Sequence, residues 1–131
     1  MWGFIISTIK RVVEKLKVGI DCVEISRFSK EKITNTKFLK KIFTDKEIQY
    51  CKKKANSSQH FAARFACKEA IIKAISSYDI KIPYNKIEII NDSKGLPNAI
   101  ILDMKEKKFE VEISLTHSNI IASAVAIITK I

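Results

Sequence analysis

The sequence lacks the features that define several common protein classes. Its longest apolar stretches, residues 120–122 and 124–128, are far shorter than the ~20 residues that a membrane-spanning helix requires. It has only 3 glycines, and they form neither a P-loop nor another glycine-rich phosphate-binding loop. These absences predict a soluble domain with no transmembrane segment, and they argue against ordinary nucleoside triphosphate chemistry.

The few cysteines do not indicate a metal site. Cys22, Cys51 and Cys67 include no CxxC pair and have no zinc-ligand spacing with His60 or His117. An odd number of thiols in apolar stretches predicts buried, reduced cysteines. We therefore expect a reducing compartment, either the cytoplasm or a plastid-like organelle.

Acidic residues are scarce. The chain has 24 basic and 14 acidic side chains, for a net charge of +10, and residues 1–54 hold most of the excess. A basic half predicts an acidic partner, but charge alone does not distinguish nucleic acid, a phosphate-rich ligand, an anionic membrane and an acidic protein. The apolar fraction of 47% over 131 residues fits one globular domain.

Residues 1–17 are expected to form an N-terminal extension, and residues 18–131 a single domain. Ile5, Ile9 and Val13 recur at helical spacing, with Lys10 and Arg11 between them. The spacing predicts a basic amphipathic helix. A helix packed on the domain and a targeting or membrane-surface segment both remain open interpretations.

Hydrophobic periodicity predicts an α+β fold for the domain. A short buried strand at residues 18–23 is followed by two short helical pieces, near residues 24–32 and 36–42. Thr44 and Glu47 have the spacing of a capping box that opens a helix. The longest helix is expected from Gln59 to about Ser76, capped by Ser57 or Ser58.

The second half of the chain has a period of two. Strands are expected at residues 86–91, 98–103, 110–116 and 120–129, joined in pairs by short turns. The predicted architecture is a mainly antiparallel sheet packed by one long helix and shorter helices.

Two acids in apolar surroundings are candidate metal ligands. Asp21 lies in the buried strand, and Glu69 lies on the long helix with Arg64, Lys68 and Lys73. Mg²⁺ takes one or two carboxylates and fills its other positions with water and phosphate oxygens. Asp21 in a structural salt bridge, and Glu69 in a routine ion pair with Lys73, are the alternatives.

His117 follows Ser114 and Thr116 at a strand end, where a histidine and two hydroxyl residues on one face could hold a phosphate. The alternative is an exposed or purely structural histidine.

Four segments resemble the holo-acyl-carrier-protein synthases, the small 4′-phosphopantetheinyl transferases. They occur in the family's order: residues 19–27 (GIDCVEISR), 43–47 (FTDKE), 64–70 (RFACKEA) with Lys73, and 114–117 (SLTH). The likeness extends from about residue 18 to 128.

The resemblance implies a reaction and roles for these residues. The family transfers 4′-phosphopantetheine from coenzyme A to a serine of apo acyl carrier protein, which supports fatty acid biosynthesis. By similarity, Asp21 and Glu69 would hold Mg²⁺, and Lys73 would contact phosphate. Ser114, His117 and Arg64 would bind the nucleotide end of coenzyme A. Leu96 replaces a lysine that is frequent in the family, so Lys94 is the candidate substitute.

The resemblance also implies two kinds of partner. Small members of the family are trimers with active sites between subunits, so His117 would act in the site of a neighbouring chain. Acidic acyl carrier protein would dock on Arg27, with support from Lys30, Lys37, Lys40 and Lys41. A catalytically weakened carrier-protein binder and a basic nucleic-acid-binding domain are the competing hypotheses.

Overall fold

A computed structural model of the chain describes residues 1–102 and 108–131, without the side chains of residues 12 and 14. The fold is α+β, as predicted. The helices are α1 (Trp2–Lys15), α2 (Lys30–Ile33), α3 (Thr36–Ile42), α4 (Asp45–Lys52) and α5 (Ser57–Ser76). The strands are β1 (Leu16–Glu24), β2 (Ile87–Asn91), β3 (Pro97–Ile101), β4 (Phe109–His117) and β5 (Ile121–Lys130).

The long helix and the strands match the sequence prediction closely, apart from their ends. Short 3-10 turns at Ile25–Phe28 and Tyr84–Lys86 precede α2 and β2. β3 ends at Ile101, and residue 103, the predicted end of that strand, lies outside the described residues. The division of the chain after residue 17 stays a prediction, although β1 already begins at Leu16.

The two predicted helix caps have different outcomes. Thr44 and Glu47 form the capping box of α4: Thr44 Oγ1 accepts from the Glu47 amide at 3.3 Å, and Glu47 Oε1 accepts from the Thr44 amide at 2.9 Å. Ser57 does not cap α5, which begins after Asn56. Its hydroxyl instead donates to the carbonyls of Cys51 and Lys54 at the end of α4.

The strands form two sheets rather than the single sheet that the sequence predicted. β1, β5 and β4 lie side by side in that order, and β2 and β3 form a separate hairpin. Every pairing among the described strands is antiparallel, as expected. The helix α5 packs against the three-stranded sheet, and its residues 61–68 are all buried.

A close backbone contact sets the distance between α5 and β1. A Cβ atom built on Gly19 would lie 1.8 Å from the carbonyl oxygen of Ala70, so only glycine fits at this point of β1. Gly19 pairs with Ala126 of β5, which is also fully buried. The lack of a side chain at Gly19 and the small side chain of Ala126 therefore allow α5 to approach the sheet closely.

A buried ion pair joins α5 to the segments around it. Lys68 Nζ lies 2.6 Å from Glu47 Oε1, and both side chains are fully buried. The same ammonium donates to the carbonyls of Ile42, Tyr84 and Ile87 at 2.6–2.9 Å. Burial lowers the pKa of Lys68, and the carboxylate of Glu47 opposes that effect. Glu47 Oε2 also accepts from the Ile89 amide, so the pair is well satisfied.

The face of the three-stranded sheet turned away from α5 is apolar and exposed. Val18 and Ile20 of β1 are 64% and 67% exposed, and Ile127 of β5 is 40% exposed. We call this surface, which also includes Val125, the outer face. Its hydrophobic residues are neighbours on adjacent strands rather than isolated. A contiguous exposed apolar surface of this kind marks an interaction site.

Two of the three cysteines match the prediction of buried thiols. Burial raises the pKa of Cys51 and of Cys67 to about 12, so neither thiol ionises at neutral pH. Cys22 is exposed, contrary to the prediction, because its position in β1 directs it to the outer face. All three are free.

The predicted N-terminal helix is present, but the structure does not support its packing on the domain. Every side chain of α1 that the structure describes is exposed. Among the described residues, no helix is long and apolar enough to cross a membrane.

Replacing Gly19 with alanine should destabilise the fold. The new methyl group would collide with the Ala70 carbonyl, and separating α5 from β1 should cost about 3 kcal/mol or more. The free energy of unfolding, measured by urea denaturation, provides the test. Gly3→Ala is the matched control, because nothing lies within 4 Å of its added methyl group. Equal unfolding midpoints for both variants would contradict the described packing.

Candidate functional site

The first part of the site is an ion pair between β1 and α5. Asp21 pairs with Ala124 in the sheet register and therefore faces α5, two residues beyond Gly19. Lys73 Nζ lies 3.0 Å from Asp21 Oδ1 and 3.1 Å from the Ile20 carbonyl. The Lys73 side chain is 54% exposed and that of Asp21 is 17% exposed, so this contact lies at the edge of the core.

Glu69 lies one helical turn before Lys73 and is half-buried. The hydroxyl of Tyr84 donates a short hydrogen bond to Glu69 Oε1. This bond, with burial and the charge of Glu69, raises the pKa of Tyr84 to about 12. The tyrosine therefore stays protonated and holds one oxygen of the carboxylate in place.

Tyr84 links the candidate site residues. The carboxylate of Asp21 also raises the pKa of Tyr84, and the guanidinium of Arg27 lowers it. Glu69, Asp21 and Arg27 therefore all lie within electrostatic range of the phenol. The guanidinium of Arg27 lies 5.1 Å from the centre of the Phe65 ring, and that ring packs on Tyr84. The fold thus gathers Asp21, Glu69 and Arg27 around one tyrosine, and Lys73 joins this group through its contact with Asp21.

Sequence reasoning missed Tyr84. It lies in a 3-10 turn, 15 residues from Glu69, and belongs to none of the recognised motifs. The sequence feature that marks its position is the proline directly before it, Pro83. An aromatic residue after a proline is common in loops without function.

Lys68 does not contribute to this site, although the sequence placed it among the cations around Glu69. It points into the core and pairs with Glu47. Because successive helical residues are about 100° apart, Lys68 and Glu69 face different surroundings. The cation of α5 that contacts a candidate carboxylate is Lys73, which pairs with Asp21.

A second group of polar residues lies near the start of α5. Arg64 is 3% exposed and stacks 4.2 Å from the ring centre of Tyr50. It donates to Asn91 Oδ1 at 2.7 Å, while its buried Nε has no hydrogen-bond partner among the described residues. Arg64 has no carboxylate partner among the residues that the structure describes. A buried cation without a counter-charge is costly, which favours an anionic ligand here.

His117 belongs to this second group. Burial and the nearby charges of Arg64, Lys54 and His117 lower the pKa of His60, which places His117 close to the start of α5. The Gln59 side chain also donates to the Ser118 carbonyl at 3.3 Å. His117 itself is exposed.

The structure does not place His117 on the same face as Ser114 and Thr116. Side chains alternate along β4, so Ser114 and Thr116 point to the outer face beside Val125 and Ser123. His117 pairs with the buried Ala122 and lies on the side of α5. The three residues are adjacent in sequence, but in one chain they do not converge on a single ligand.

Lys94 lies in the exposed turn between β2 and β3. Asp92 Oδ1 accepts from the amides of Lys94 and Leu96, and Gly95 has a positive φ of 82° that closes the turn. Asn91 joins this turn to Arg64, because it accepts from the guanidinium and donates to the Gly95 carbonyl. Lys94 therefore lies in a turn that Asn91 connects to Arg64 through hydrogen bonds.

The lysines expected to support docking lie beside the site. Lys30 is on α2, and Lys37, Lys40 and Lys41 are on α3, all exposed. The Asn85 side chain lies 3.5 Å from the Lys40 carbonyl, so α3 borders the turn that carries Tyr84.

The described residues contain no cluster of three or more histidine, cysteine, aspartate or glutamate side chains that could hold a metal. Asp21 and Glu69 are two oxygen donors, as few as Mg²⁺ needs from a protein when phosphate and water supply the others. The donor set fits a hard cation and does not fit zinc, which prefers nitrogen and sulfur.

Comparison with known proteins identifies the family. The sequence model of the 4′-phosphopantetheinyl transferase superfamily matches residues 17–127. The chain belongs to this superfamily. The match covers β1, with Asp21, through most of β5, and it leaves out α1.

Two bacterial relatives of this phosphopantetheinyl transferase are named holo-[acyl-carrier-protein] synthase. That of Geotalea daltonii is 35% identical over 120 residues, covering 86% of this chain and 96% of the relative. That of Syntrophus aciditrophicus is 40% identical over 118 residues, covering 84% and 92%. Neither a nucleic-acid-binding domain nor an inactive binder is supported by these similarities.

A crystal structure of a holo-(acyl-carrier-protein) synthase from Bacillus anthracis, in complex with CoA (3′,5′-ADP), has the same fold. It is 30% identical, with a TM-score of 0.72, and the alignment covers 88% of this chain and 96% of that one. The resemblance that the four sequence segments indicated is therefore confirmed.

Replacing Glu69 with glutamine should lower the pKa of Tyr84 from about 12 toward the ordinary value near ~10, because a neutral amide no longer favours the protonated phenol. Ultraviolet absorbance against pH measures tyrosinate formation, and subtraction of the Tyr84→Phe curve isolates Tyr84. Glu112→Gln, an exposed carboxylate of β4, is the control and should leave the midpoint unchanged. An unchanged midpoint in Glu69→Gln would exclude the hydrogen bond.

Proposed function

We propose that the chain is a holo-[acyl-carrier-protein] synthase that transfers 4′-phosphopantetheine from coenzyme A to a serine of apo acyl carrier protein. Adenosine 3′,5′-bisphosphate is released. The observation that carries the proposal is the placement of Asp21, Glu69 and Lys73 together at the contact of β1 with α5, in a chain of this superfamily. By its likeness to bacterial relatives, the enzyme supports fatty acid biosynthesis in a reducing compartment.

Asp21 and Glu69 would hold Mg²⁺. When bound, the ion neutralises charge on the pyrophosphate of coenzyme A. Lys73 is more than half exposed and can turn from Asp21 toward a phosphate oxygen once the carboxylate is occupied elsewhere. Tyr84 keeps Glu69 oriented through its hydrogen bond.

In the reaction, the serine oxygen of the carrier protein forms a bond to the phosphorus that bears the pantetheine arm. The bond from that phosphorus to the bridging oxygen breaks, and both leaving electrons stay on the bisphosphate. The hydroxyl proton must leave the serine at the same time. Glu69 is the nearby carboxylate that can direct this proton away, either itself or through a water molecule.

Arg64 would bind the nucleotide end of coenzyme A. Within the part of the chain that the structure describes, its buried Nε lacks a partner, and its charge lies beside Asn91 and Tyr50 without a carboxylate. A phosphate would supply the missing acceptor. Lys94, at the tip of the adjoining turn, adds a second positive charge.

The enzyme would act as a trimer whose sites combine residues from two chains. The apolar outer face, with Val18 and Ile20 more than 60% exposed, supports burial against further copies. Ser114 opens onto this face, and His117 is exposed at the same strand end. In this arrangement, His117 completes the nucleotide site of a neighbouring subunit, and Ser114, on the opposite face of β4, lies in the contact between subunits.

The acidic carrier protein would dock on Arg27 and the lysines of α2 and α3. Arg27 is exposed, stacks on Phe65 and lies within electrostatic range of Tyr84. A partner bound there would therefore bring its serine next to Glu69. Lys30, Lys37, Lys40 and Lys41 are exposed on these two helices and would steer association.

Incubation of apo acyl carrier protein with the enzyme, coenzyme A and Mg²⁺ should add one phosphopantetheine group to the carrier, measured by mass spectrometry. Asp21→Asn and Glu69→Gln should reduce the rate by about a thousandfold or more, because each removes a ligand of the ion that neutralises the pyrophosphate. Asp79→Asn is the matched control, because it removes an exposed carboxylate beyond the end of α5 at a positive φ that asparagine tolerates. No transfer by the wild-type enzyme, with or without added Mg²⁺, would contradict the proposed function.

Arg27→Ala should raise the KM for the carrier protein by about tenfold, while kcat and the KM for coenzyme A change little. Steady-state kinetics at varied carrier concentration measures the effect, which should shrink as salt is added. Arg11→Ala removes the same charge from α1 and should have no such effect. A change confined to coenzyme A would place Arg27 at the other substrate.

A mixed-trimer experiment tests the shared site. Co-expression of Glu69→Gln chains with His117→Ala chains should restore activity above that of either variant alone, because some sites then receive a native Glu69 and a native His117. Light scattering checks for a trimeric mass. A monomer with full activity, or mixed chains without restored activity, would exclude a site between subunits.

A further inference from the structure

The helix α1 stands apart from the proposed enzyme. It precedes the part of the chain that the superfamily matches, and its described side chains are exposed throughout. It is joined to the domain at its C-terminal end, where the Tyr78 hydroxyl donates a hydrogen bond to the Lys15 carbonyl at 2.5 Å. Its function must therefore be sought outside the domain core.

One side of α1 is apolar. At about 100° per residue, Trp2, Ile5, Ile6, Ile9 and Val13 fall within an arc of about 100°. Trp2 is 76% exposed, and Ile9 and Val13 are each 58% exposed. A helix that presents such a side to water is unfavourable unless another surface covers it.

The other side and the base of α1 are basic. Arg11 and Lys15 lie on the side opposite to the apolar arc, with the exposed Phe4 between them, and Lys10 lies near the border of the arc. At the base, Lys17 and Lys130 both lie over the Tyr78 ring, 5.8 and 5.6 Å from its centre. The basic surface thus continues from the helix onto the adjoining ends of β1 and β5.

These charges select among the surfaces that could cover α1. A second copy would bring the same basic residues together, and they would repel. The proposed carrier-protein surface begins beyond Glu24, at the other end of β1, about 26 Å from Leu16 along the strand. A surface with an apolar interior beneath a negatively charged outer layer matches both the apolar side and the basic side of the helix.

We propose that α1 binds the surface of an anionic lipid bilayer. The helix lies in the plane of the interface, with Trp2, Ile5, Ile6, Ile9 and Val13 among the upper parts of the acyl chains. Arg11 and Lys15, with Lys17 and Lys130 at the base, contact the lipid phosphates. The binding is peripheral, because α1 has only 14 residues and a spanning helix needs ~20.

Trp2 provides a direct test, because the chain contains only 1 tryptophan. The whole protein is mixed with vesicles of phosphatidylcholine alone, or of phosphatidylcholine with phosphatidylglycerol. With the anionic vesicles we expect a blue shift of Trp2 emission, protection from iodide quenching and co-flotation of the protein. Binding to the neutral vesicles should be at least about fivefold weaker.

Matched substitutions separate the contribution of the apolar side of α1 to lipid binding from that of its basic residues. Ile9→Gln should weaken binding to anionic vesicles by about fivefold, while Ser7→Gln, on the polar side, should not. Arg11→Gln with Lys15→Gln should weaken it by about tenfold, whereas Lys52→Gln with Lys53→Gln removes the same charge from α4 and its end with little effect. Phosphopantetheine transfer without vesicles should be unchanged in all four variants.

Three results would overturn the proposal. No change in Trp2 emission with either kind of vesicle would exclude lipid binding by α1. Equal losses in the α1 and α4 charge variants would show diffuse attraction by the whole basic protein. A blue-shifted emission without vesicles that disappears on dilution would show that the apolar side is covered by another copy.

Discussion

The contact between the backbones of Gly19 and Ala70 determines how closely α5 lies on the three-stranded sheet. The rest of the fold depends on this distance, since the facing residues of β5, Ala122, Ala124 and Ala126, are also small and almost fully buried. Larger side chains on either element would separate the two layers. The same contact fixes the site, because Asp21 lies two residues along β1 from Gly19 and Lys73 lies one turn along α5 from Ala70.

Two adjacent residues of α5 show how one helix serves stability and chemistry together. Lys68 turns inward and is fully buried against Glu47, whereas Glu69 turns toward Tyr84 and the edge of the core. Both are charged residues of the same sequence motif, yet only one is free to meet a substrate. Burial, rather than residue type, decides which charge can take part in the reaction.

The sequence was sufficient for much of the fold and part of the site. Local rules located the Thr44–Glu47 capping box and the strand alternation in β4, because both depend on residues only a few positions apart. The family motifs singled out Asp21, Glu69 and Lys73 as candidates, and the fold brings Asp21 and Lys73 into contact. Contacts over long separations were not predictable: Tyr84 meets Glu69 from a loop without a motif, and Glu47 meets Lys68 across 21 residues. Ser114 and His117 point to opposite faces of β4 because side chains alternate along a strand. Their closeness in the sequence nevertheless suggested a shared face.

The ammonium of Lys68 has a consequence for motion. Its four acceptors come from the end of α3, from α4, from the turn that carries Tyr84 and from β2. Segments that share one buried cation cannot open separately without leaving it unsatisfied, so they should form a single cooperative unit in hydrogen exchange. The helix α3, with its exposed lysines, and the turn that orients Glu69 would then open and close together, which couples the position of α3 to that of the Glu69 carboxylate.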